Sequence, residues 1–431
     1  MHRPTALRTE ALRVSEGSRL WRGGVHERAT ARASRRCAPG VRDSSAVSAA
    51  TERPGPLRLA IVAFFVALAL SLLGAAHWYI AQRLVLDPAL GAGLRAASLA
   101  AIALLGVGAV LTPGFERWLP PRLLRVVALP FLIWMGVFWL AFVALALSDL
   151  VLALLGASVS DVSRPRAALV AAGVALSAGL ALRNGLRVPA VRRVELALAR
   201  WPHALDGFRI VQISDIHIGP VLGRRFAAAL SERVNALVPD LVAVTGDLVD
   251  GDVERLRDEV APFAALRGRH GVFFVTGNHD VYSGGEAWAR CVQELGIRVL
   301  RNERVSIGGA EGFDLAGVDD HRGDWLRGSS EDLDAALAGR DPSRALVLLA
   351  HDPGSFRSAS AQGVDLQLSG HTHGGQIWPF GYLVRLAVPW VAGLYRVGTS
   401  QLYVSRGSGF WGPPMRLFAP AEITEIVLRR G

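Results

Sequence analysis

Four uncharged apolar segments constrain this 431-residue chain more than any other feature of its sequence. Residues 59–80 and 126–147 each run for 22 positions without a charged side chain, enough for a helix to cross about 30 Å of hydrocarbon. Residues 96–111 and 167–182 run for 16 positions each, and they fit either short spans or buried helices of a soluble core. Because the two clear spans lie beside them, we expect an anchor of four transmembrane helices at residues 57–183.

The arginine distribution predicts how this anchor is oriented. The chain has no lysine, and its formal net charge is +10. Residues 1–58 hold twelve arginines and five acidic residues, whereas the remainder is nearly balanced, so nucleic-acid recognition is not expected. The tail, the 112–125 loop and the segment after residue 182 are the richest in arginine, which places both termini in the cytoplasm. Residues 1–56 lack apolar periodicity and are predicted to be a disordered tail.

From about residue 184 onward, short apolar strands alternate with helix-like stretches. The strands are predicted at residues 208–213, 241–244, 272–275, 346–349 and 364–368, and each runs into a small polar cluster. Helical periodicity appears between them, at residues 223–238 and 285–295. This alternation predicts a layered α/β domain at residues 184–431, with its reactive groups at the carboxyl ends of the strands.

The polar clusters have the composition of a metal site. Alternate residues of an extended segment point the same way, so Asp215 and His217 could reach one ion. By the same argument, His371 and His373 could each serve a different ion. Carboxylate and imidazole ligands suit Mn, Fe or Zn. The two cysteines of the chain lie far apart and show no structural zinc spacing.

Each cluster alone is a weak signal. An isolated Asp-x-His after a strand is more often structural than metal-binding, and a lone His351 would more often be a core histidine. The stronger indication is the order of five such clusters within about 160 residues, each at the end of an apolar run. Five of the eleven histidines fall in these positions.

This ordered set resembles the calcineurin-like metallophosphoesterase family over about residues 190–430. The motifs read Asp215-Ile216-His217, Gly246-Asp247-Leu248-Val249-Asp250, Gly277-Asn278-His279-Asp280, His351 and Gly370-His371-Thr372-His373. The phrases LSGHTHGGQIW and LYVSRGSG…RLFAPAEIT are similar to membrane-associated bacterial members. Some of those members cleave the pyrophosphate of UDP-2,3-diacylglucosamine in lipid A synthesis. The resemblance implies a four-layer α-β-β-α sandwich preceded by about four transmembrane helices.

The resemblance also implies roles for individual residues around two divalent metal ions, Mn, Fe or Zn. One ion would be held by Asp215, His217 and His373, the other by Asn278, His351 and His371, and Asp247 would bridge them. His279 would protonate the leaving oxygen, with Asp250 orienting it, although Asp250 could instead cap its loop. The expected activity is hydrolysis of a phosphodiester or pyrophosphate bond by metal-activated water.

The sequence also suggests a location, a leading substrate and alternatives to it. The enzyme would lie in a bacterial inner membrane with a cytoplasmic catalytic domain, and UDP-2,3-diacylglucosamine is its most specific candidate substrate. Nucleotides or other soluble phosphoesters are the alternative, and a non-catalytic membrane sensor is disfavoured because every ligand position holds a competent residue. Residues 376–398 form either an apolar lip facing the bilayer or ordinary packing. Asp319-Asp320-His321 is expected to be a solvated turn, with contact to substrate as the alternative. Asp352, after His351, stands where the related motif often has Asn or Glu.

Overall fold

The four apolar segments fold as four long helices. They are α1 (Pro56–Ala81), α2 (Ala92–Trp118), α3 (Pro121–Leu154) and α4 (Val159–Leu186). This computed structural model describes residues 55–119, 121–321, 323 and 330–431, and the expected disordered tail lies outside them apart from its last two positions. All four helices are long and apolar enough to cross a membrane. The expectation of about four such helices is confirmed.

A network of paired charges joins three of these helices at one end of the bundle. Asp149 accepts hydrogen bonds from the Tyr79 hydroxyl at 2.6 Å and from Arg83 Nε at 3.1 Å. It also pairs with Arg166 at 2.5 Å, and Arg83 pairs with Asp87 at 3.0 Å. Arg166, which directly precedes the apolar segment at residues 167–182, is buried. Because each charge has a partner, the network ties α1, α3 and α4 together.

Among the residues that the structure describes after the bundle, there are twelve strands and seven shorter α-helices. The strands are β1 (Ala190–Leu198), β2 (Phe208–Ile213), β3 (Leu241–Thr245), β4 (Val272–Val275), β5 (Arg298–Val299), β6 (Glu303–Ile307), β7 (Phe313–Gly317), β8 (Leu346–Leu349), β9 (Leu366–Ser369), β10 (Gly393–Val397), β11 (Ser400–Val404) and β12 (Glu422–Arg430). The helices are α5 (Arg224–Asn235), α6 (Val253–Val260), α7 (Asn278–Tyr282), α8 (Gly285–Glu294), α9 (Leu333–Leu337), α10 (Phe356–Ala361) and α11 (Phe380–Ala387). The five predicted strands therefore form within two residues of their expected limits.

The strands form two six-stranded sheets that pack face to face. Their orders are β1-β12-β2-β3-β4-β5 and β10-β11-β9-β8-β7-β6. Apolar side chains such as Ile210 from one sheet and Leu349 from the other fill the space between them. Leu230 of α5 and Trp288 of α8 cover the outer face of the first sheet, and α9 and α10 cover the second. The expected four-layer α-β-β-α sandwich is confirmed.

The pairing of the strands brings the polar clusters together. In the first sheet β2, β3 and β4 run parallel, and in the second sheet β7, β8 and β9 run parallel. The carboxyl ends of parallel strands meet at one edge of a sheet. The Gln212 side chain donates to the Ser369 carbonyl at 2.9 Å, which joins the two sheets at this edge. All five clusters consequently meet there.

Candidate metal centre

The backbone at five of the seven candidate ligands is left-handed rather than extended. β2 ends at Ile213 and β9 ends at Ser369, before the clusters begin. The φ angles are 49° at Asp215, 51° at His217, 52° at Asp247, 71° at His371 and 52° at His373. The prediction that alternate residues of an extended segment aim these side chains was therefore wrong. Such backbone costs about 1–3 kcal/mol per residue and is concentrated at functional sites.

One cluster consists of Asp215, His217 and His373. Their ligand atoms lie within 4.8 Å of one another. The two imidazoles face each other, with 3.0 Å between their Nε2 atoms, and Nε2 of His373 lies 3.5 Å from Oδ1 of Asp215. Oδ1 of Asp215 accepts the backbone N–H of His371 at 2.8 Å, but its buried Oδ2 accepts no hydrogen bond from any described residue. These atoms therefore converge on one point, as a cation site requires.

A second cluster consists of Asp247, His351 and His371. Nε2 of His351 lies 3.2 Å from Oδ2 of Asp247 and 3.3 Å from Nδ1 of His371. His351 donates from Nδ1 to the Thr245 carbonyl at 2.8 Å, so its Nε2 points into the cluster. Asn278 is the first residue of α7, and its buried Oδ1 accepts no hydrogen bond from the described part of the chain. Its amide oxygen is thus available to an ion.

Asp247 lies between the two clusters. The oxygen that approaches His351, Oδ2, is also 3.7 Å from Nε2 of His217. The other oxygen, Oδ1, accepts the backbone N–H of His279 at 2.8 Å. Burial alone would raise the pKa of Asp247, but the surrounding imidazoles hold it well below its usual value. One carboxylate is thus shared by both clusters.

Two glycines are required by the close approach of backbone to these ligands. A Cβ at Gly370 would overlap Oδ2 of Asp215 and the Ser214 hydroxyl. A Cβ at Gly277 would overlap Oδ1 of Asp247. The glycines of the motifs therefore leave space for the ligand atoms.

Asp250 holds two histidines at once. Its Oδ1 is 2.9 Å from Nδ1 of His217 and 2.8 Å from Nδ1 of His279. Burial would raise the pKa of Asp250, but these two imidazoles lower it to about 2. Burial would lower the pKa of His217, but Asp250 and other carboxylates raise it to about 9. The sequence indicated only the link between Asp250 and His279.

Two neighbours of the clusters were not identified from the sequence. Arg416 is fully buried and donates to the His373 carbonyl at 2.8 Å and to the Gly409 carbonyl at 3.0 Å. Asp280 accepts the backbone N–H of Leu248 at 2.9 Å and that of Gly277 at 2.8 Å, which ties two ligand-bearing loops together. Both residues lie within quoted motifs, but their contacts depend on the tertiary fold.

Residues 319–321 were expected to form a solvated turn, and this was wrong for the side chains of Asp319 and Asp320. Asp319 and Asp320 are only 2% and 3% exposed, and Asp319 pairs with Arg301 at 3.0 Å. His321 remains partly exposed, and its Nδ1 lies 3.7 Å from Oδ2 of Asp352. That same Asp352 oxygen is 3.8 Å from Nε2 of His371, so the atypical residue borders the second cluster.

A two-sheet α/β sandwich with Asp, Asn and His clusters at the ends of its strands defines a metallophosphoesterase. The family model for calcineurin-like phosphoesterases matches residues 208–375. An uncharacterized metallophosphoesterase of Aquifex aeolicus is 35% identical over 225 residues, which is 51% of this chain and 85% of that one. The chain belongs to the calcineurin-like metallophosphoesterase family.

The chain is also similar to proteins whose names include a membrane or a metal site. A Bos taurus protein named "Transmembrane protein with metallophosphoesterase domain" is 40% identical over 279 residues, or 62% of each chain. The chain spans about 60% of the length of the curated relatives that match it first. A solved dimetal phosphatase from Danio rerio is 13% identical, with a TM-score of 0.31 over 47% of this chain and 88% of that one. The chain is thus similar to membrane-associated members of its family.

Proposed function

We propose that this protein is a membrane-anchored, metal-dependent phosphohydrolase that cleaves a phosphodiester or pyrophosphate bond. The observation that carries this proposal is the single carboxylate of Asp247 shared by two ligand clusters, with the His279–Asp250 pair beside it. A non-catalytic sensor would not need a complete ligand set together with an oriented proton donor. The activity of the whole chain is inferred from this arrangement and from its family.

Two divalent cations fit the side chains of the site. Asp215, His217 and His373 would hold one ion, Asn278, His351 and His371 would hold the other, and Asp247 would contact both. The fit is supported by the buried Oδ2 of Asp215 and Oδ1 of Asn278, which find no donor among the described residues. The ligand types suit Mn, Fe or Zn. When bound, such ions would activate water and neutralise phosphoryl charge.

His279 would act as the proton donor to the leaving oxygen. Nδ1 of His279 contacts Asp250, so Nε2 would be the atom that donates the proton. Burial would lower the pKa of His279, but the carboxylates of Asp250 and Asp247 raise it above its usual value. Asp250 would therefore orient the donor and stabilise its charged form.

The proposed location is a bacterial inner membrane with the catalytic domain in the cytoplasm. Arg117, Arg122 and Arg125 lie at the facing ends of α2 and α3, and Arg183, Arg187, Arg192 and Arg193 lie in the last turn of α4 or just after it. The opposite ends of the helices carry Asp87, Asp149 and Asp161 as well as arginines. Under the positive-inside rule, the end of the bundle that joins β1 faces the cytoplasm.

A lipid-linked substrate is the finer part of the proposal. The Trp411 ring lies 5.6 Å from the His279 ring, and Trp411 is half exposed. Exposed Trp378 and Phe418 lie in the neighbouring segments. An apolar lip beside a charged site suits an amphiphile whose phosphoester reaches the metals while its acyl chains stay in lipid. UDP-2,3-diacylglucosamine is the most specific candidate.

Hydrolysis assays on the full chain in lipid nanodiscs test this proposal. After loading with Mn²⁺, wild type should hydrolyse bis(p-nitrophenyl) phosphate and UDP-2,3-diacylglucosamine, and EDTA should abolish both activities. Asp247→Asn should lose about 100-fold or more in kcat on both. If the metal-loaded wild type turns over neither compound, the proposal that this protein is a phosphohydrolase is wrong. Equal kcat/KM values for acylated and deacylated UDP-glucosamine would remove only the lipid-linked substrate, and soluble phosphoesters would become the better candidates.

A further inference from the structure

Helix α11 exposes large apolar side chains that the described part of the chain leaves mostly or partly uncovered. Phe380, Tyr382, Leu383 and Leu386 are all exposed, and Leu386 reaches 85%. Next to the helix in sequence, Trp378 is also exposed, and its ring lies 6.2 Å from that of Phe418, which is 81% exposed. We call α11, Trp378 and Phe418 the apolar ledge. Soluble surfaces rarely leave so many large apolar side chains together in water.

The ledge continues the interface between the catalytic domain and helix α3. Trp139 of α3 donates from Nε1 to the Ile377 carbonyl at 3.3 Å. Its ring also packs edge-on against Phe380, with 5.4 Å between centroids. One turn earlier on α3, a Cβ at Gly136 would overlap the sulfur of Met415. The segment bearing the ledge is therefore fixed against a membrane-spanning helix.

The position of these contacts along the helices gives their depth. Trp139 precedes Asp149, in the charged network, by ten residues, which is about 15 Å along α3. On α4, the Ala181 carbonyl accepts the backbone N–H of Arg416 at 2.9 Å. Ala181 follows Arg166 of the same network by fifteen residues, or about 22 Å. We take the charged network around Asp149 to lie at one membrane–water interface. Because the hydrocarbon layer is about 30 Å thick, the contacts made by Trp139 and by Ala181 then lie within it.

The charge of the surrounding segment suits a lipid surface. Residues 376–421 contain no Asp or Glu and four arginines, one of which, Arg385, is exposed on α11 itself. Basic residues beside an apolar surface are attracted to anionic lipid headgroups. The long aliphatic part of an arginine side chain lets its guanidinium reach the membrane–water interface.

We propose that the apolar ledge is inserted into the lipid of the leaflet on the catalytic side, as a membrane contact additional to the four helices. The occupant of this surface is bilayer lipid, and the ledge places Trp411 and the neighbouring metal clusters at the membrane surface. The insertion is argued from exposure, helix packing and charge, whereas entry of substrate from the bilayer along the ledge rests on the proposed function.

Spin labels on the full-length protein test the insertion directly. In a background with Cys37→Ser and Cys291→Ala, nitroxides are attached at Leu386→Cys and at Val238→Cys in nanodiscs containing anionic lipid. Val238 is a matched control because it is apolar and 65% exposed, and it precedes β3, at the sheet edge opposite the metal clusters. Power saturation then compares collisions with oxygen, which is enriched in lipid, and with a water-soluble nickel chelate.

The label at Leu386 should be several-fold more accessible to oxygen than to the nickel chelate, and the label at Val238 should show the reverse. Nickel accessibility at Leu386 equal to that at Val238 would place α11 in water and overturn the insertion. This readout does not depend on turnover. A protein without phosphohydrolase activity can therefore still show the insertion, and an active enzyme can still fail to show it.

Discussion

Asp250 and His279 are joined by a contact of 2.8 Å between Oδ1 of the carboxylate and Nδ1 of the imidazole. The same oxygen is 2.9 Å from Nδ1 of His217, whose Nε2 faces the first ligand cluster. One carboxylate thus orients both the proposed proton donor and a proposed metal ligand. Loss of its charge should affect metal affinity and catalysis together.

Asp250→Asn should lower kcat/KM on bis(p-nitrophenyl) phosphate by about 10–100-fold and weaken metal retention, because outer partners of metal-binding histidines fix their orientation. Steady-state kinetics and metal analysis on the same preparation measure both effects. Asp252→Asn is a suitable control, since Asp252 is exposed in the same loop and caps α6 through the Arg255 backbone N–H. Wild-type kinetics for Asp250→Asn would contradict the dual role.

The effect of His279→Ala on turnover should depend on the leaving group of the substrate. Turnover of an alkyl phosphodiester, whose leaving oxygen needs a proton, should fall by about 10²–10⁴-fold, whereas a nitrophenyl ester should lose far less. The comparison needs kcat for both esters with wild type and variant. His270→Ala serves as control because His270 packs near Phe208, away from the clusters. Equal losses on the two esters would remove the general-acid role.

Gly370→Ala should prevent metal binding without unfolding the domain. The added methyl would overlap Oδ2 of Asp215 and the Ser214 hydroxyl, so the first cluster must open. Gly285→Ala is the matched control, because its nearest heavy atom would be 3.8 Å away, an ordinary contact. Bound metal and thermal unfolding should be measured for both. Full metal occupancy in Gly370→Ala would show that the glycine is not needed for the site.

Glu331 should make the stability of the domain fall with rising pH. Burial, followed by repulsion from Asp352 and Asp320, raises its pKa from 4.5 to about 7. A raised carboxyl pKa means that the folded state binds the proton more tightly, so this stabilisation is complete below about pH 4.5. It is then lost as pH rises through about 7.

The contribution of Glu331 can be isolated with Glu331→Gln. This variant should show a smaller fall in Tm between pH 5 and pH 8 than wild type, whereas Glu254→Gln, at an exposed position of α6, should match wild type. An unchanged pH slope in Glu331→Gln would exclude this residue as the cause.

The strands and their polar ends could be predicted because burial on both faces leaves a direct signature in the sequence. Val272–Val275, for example, is wholly apolar and forms β4 at those positions. The two-sheet sandwich followed from the family motifs, since strand order across two sheets depends on contacts distant in the chain. Sequence alone therefore gave the elements, and the resemblance gave their arrangement.

The local geometry of the site was harder to predict. The periodicity argument assumed extended backbone at His371 and His373, but both are left-handed, a state that neither residue type signals by itself. Arg416 was not identified and Asp319 was expected to be solvated, because charged residues are usually exposed. Their partners lie on other elements of the fold, which the sequence does not show. Such contacts become visible only once the sheets are paired.

Metal stoichiometry tests the central claim most directly. Full-length protein should be loaded with Mn²⁺, freed of excess metal by gel filtration and analysed by inductively coupled plasma mass spectrometry, with Asp247→Ala treated in parallel. The account predicts about two bound cations per wild-type chain and about one or fewer in the variant, because Asp247 reaches both clusters. A wild-type chain that retains no divalent cation, or an Asp247→Ala chain that retains as many as wild type, would contradict it.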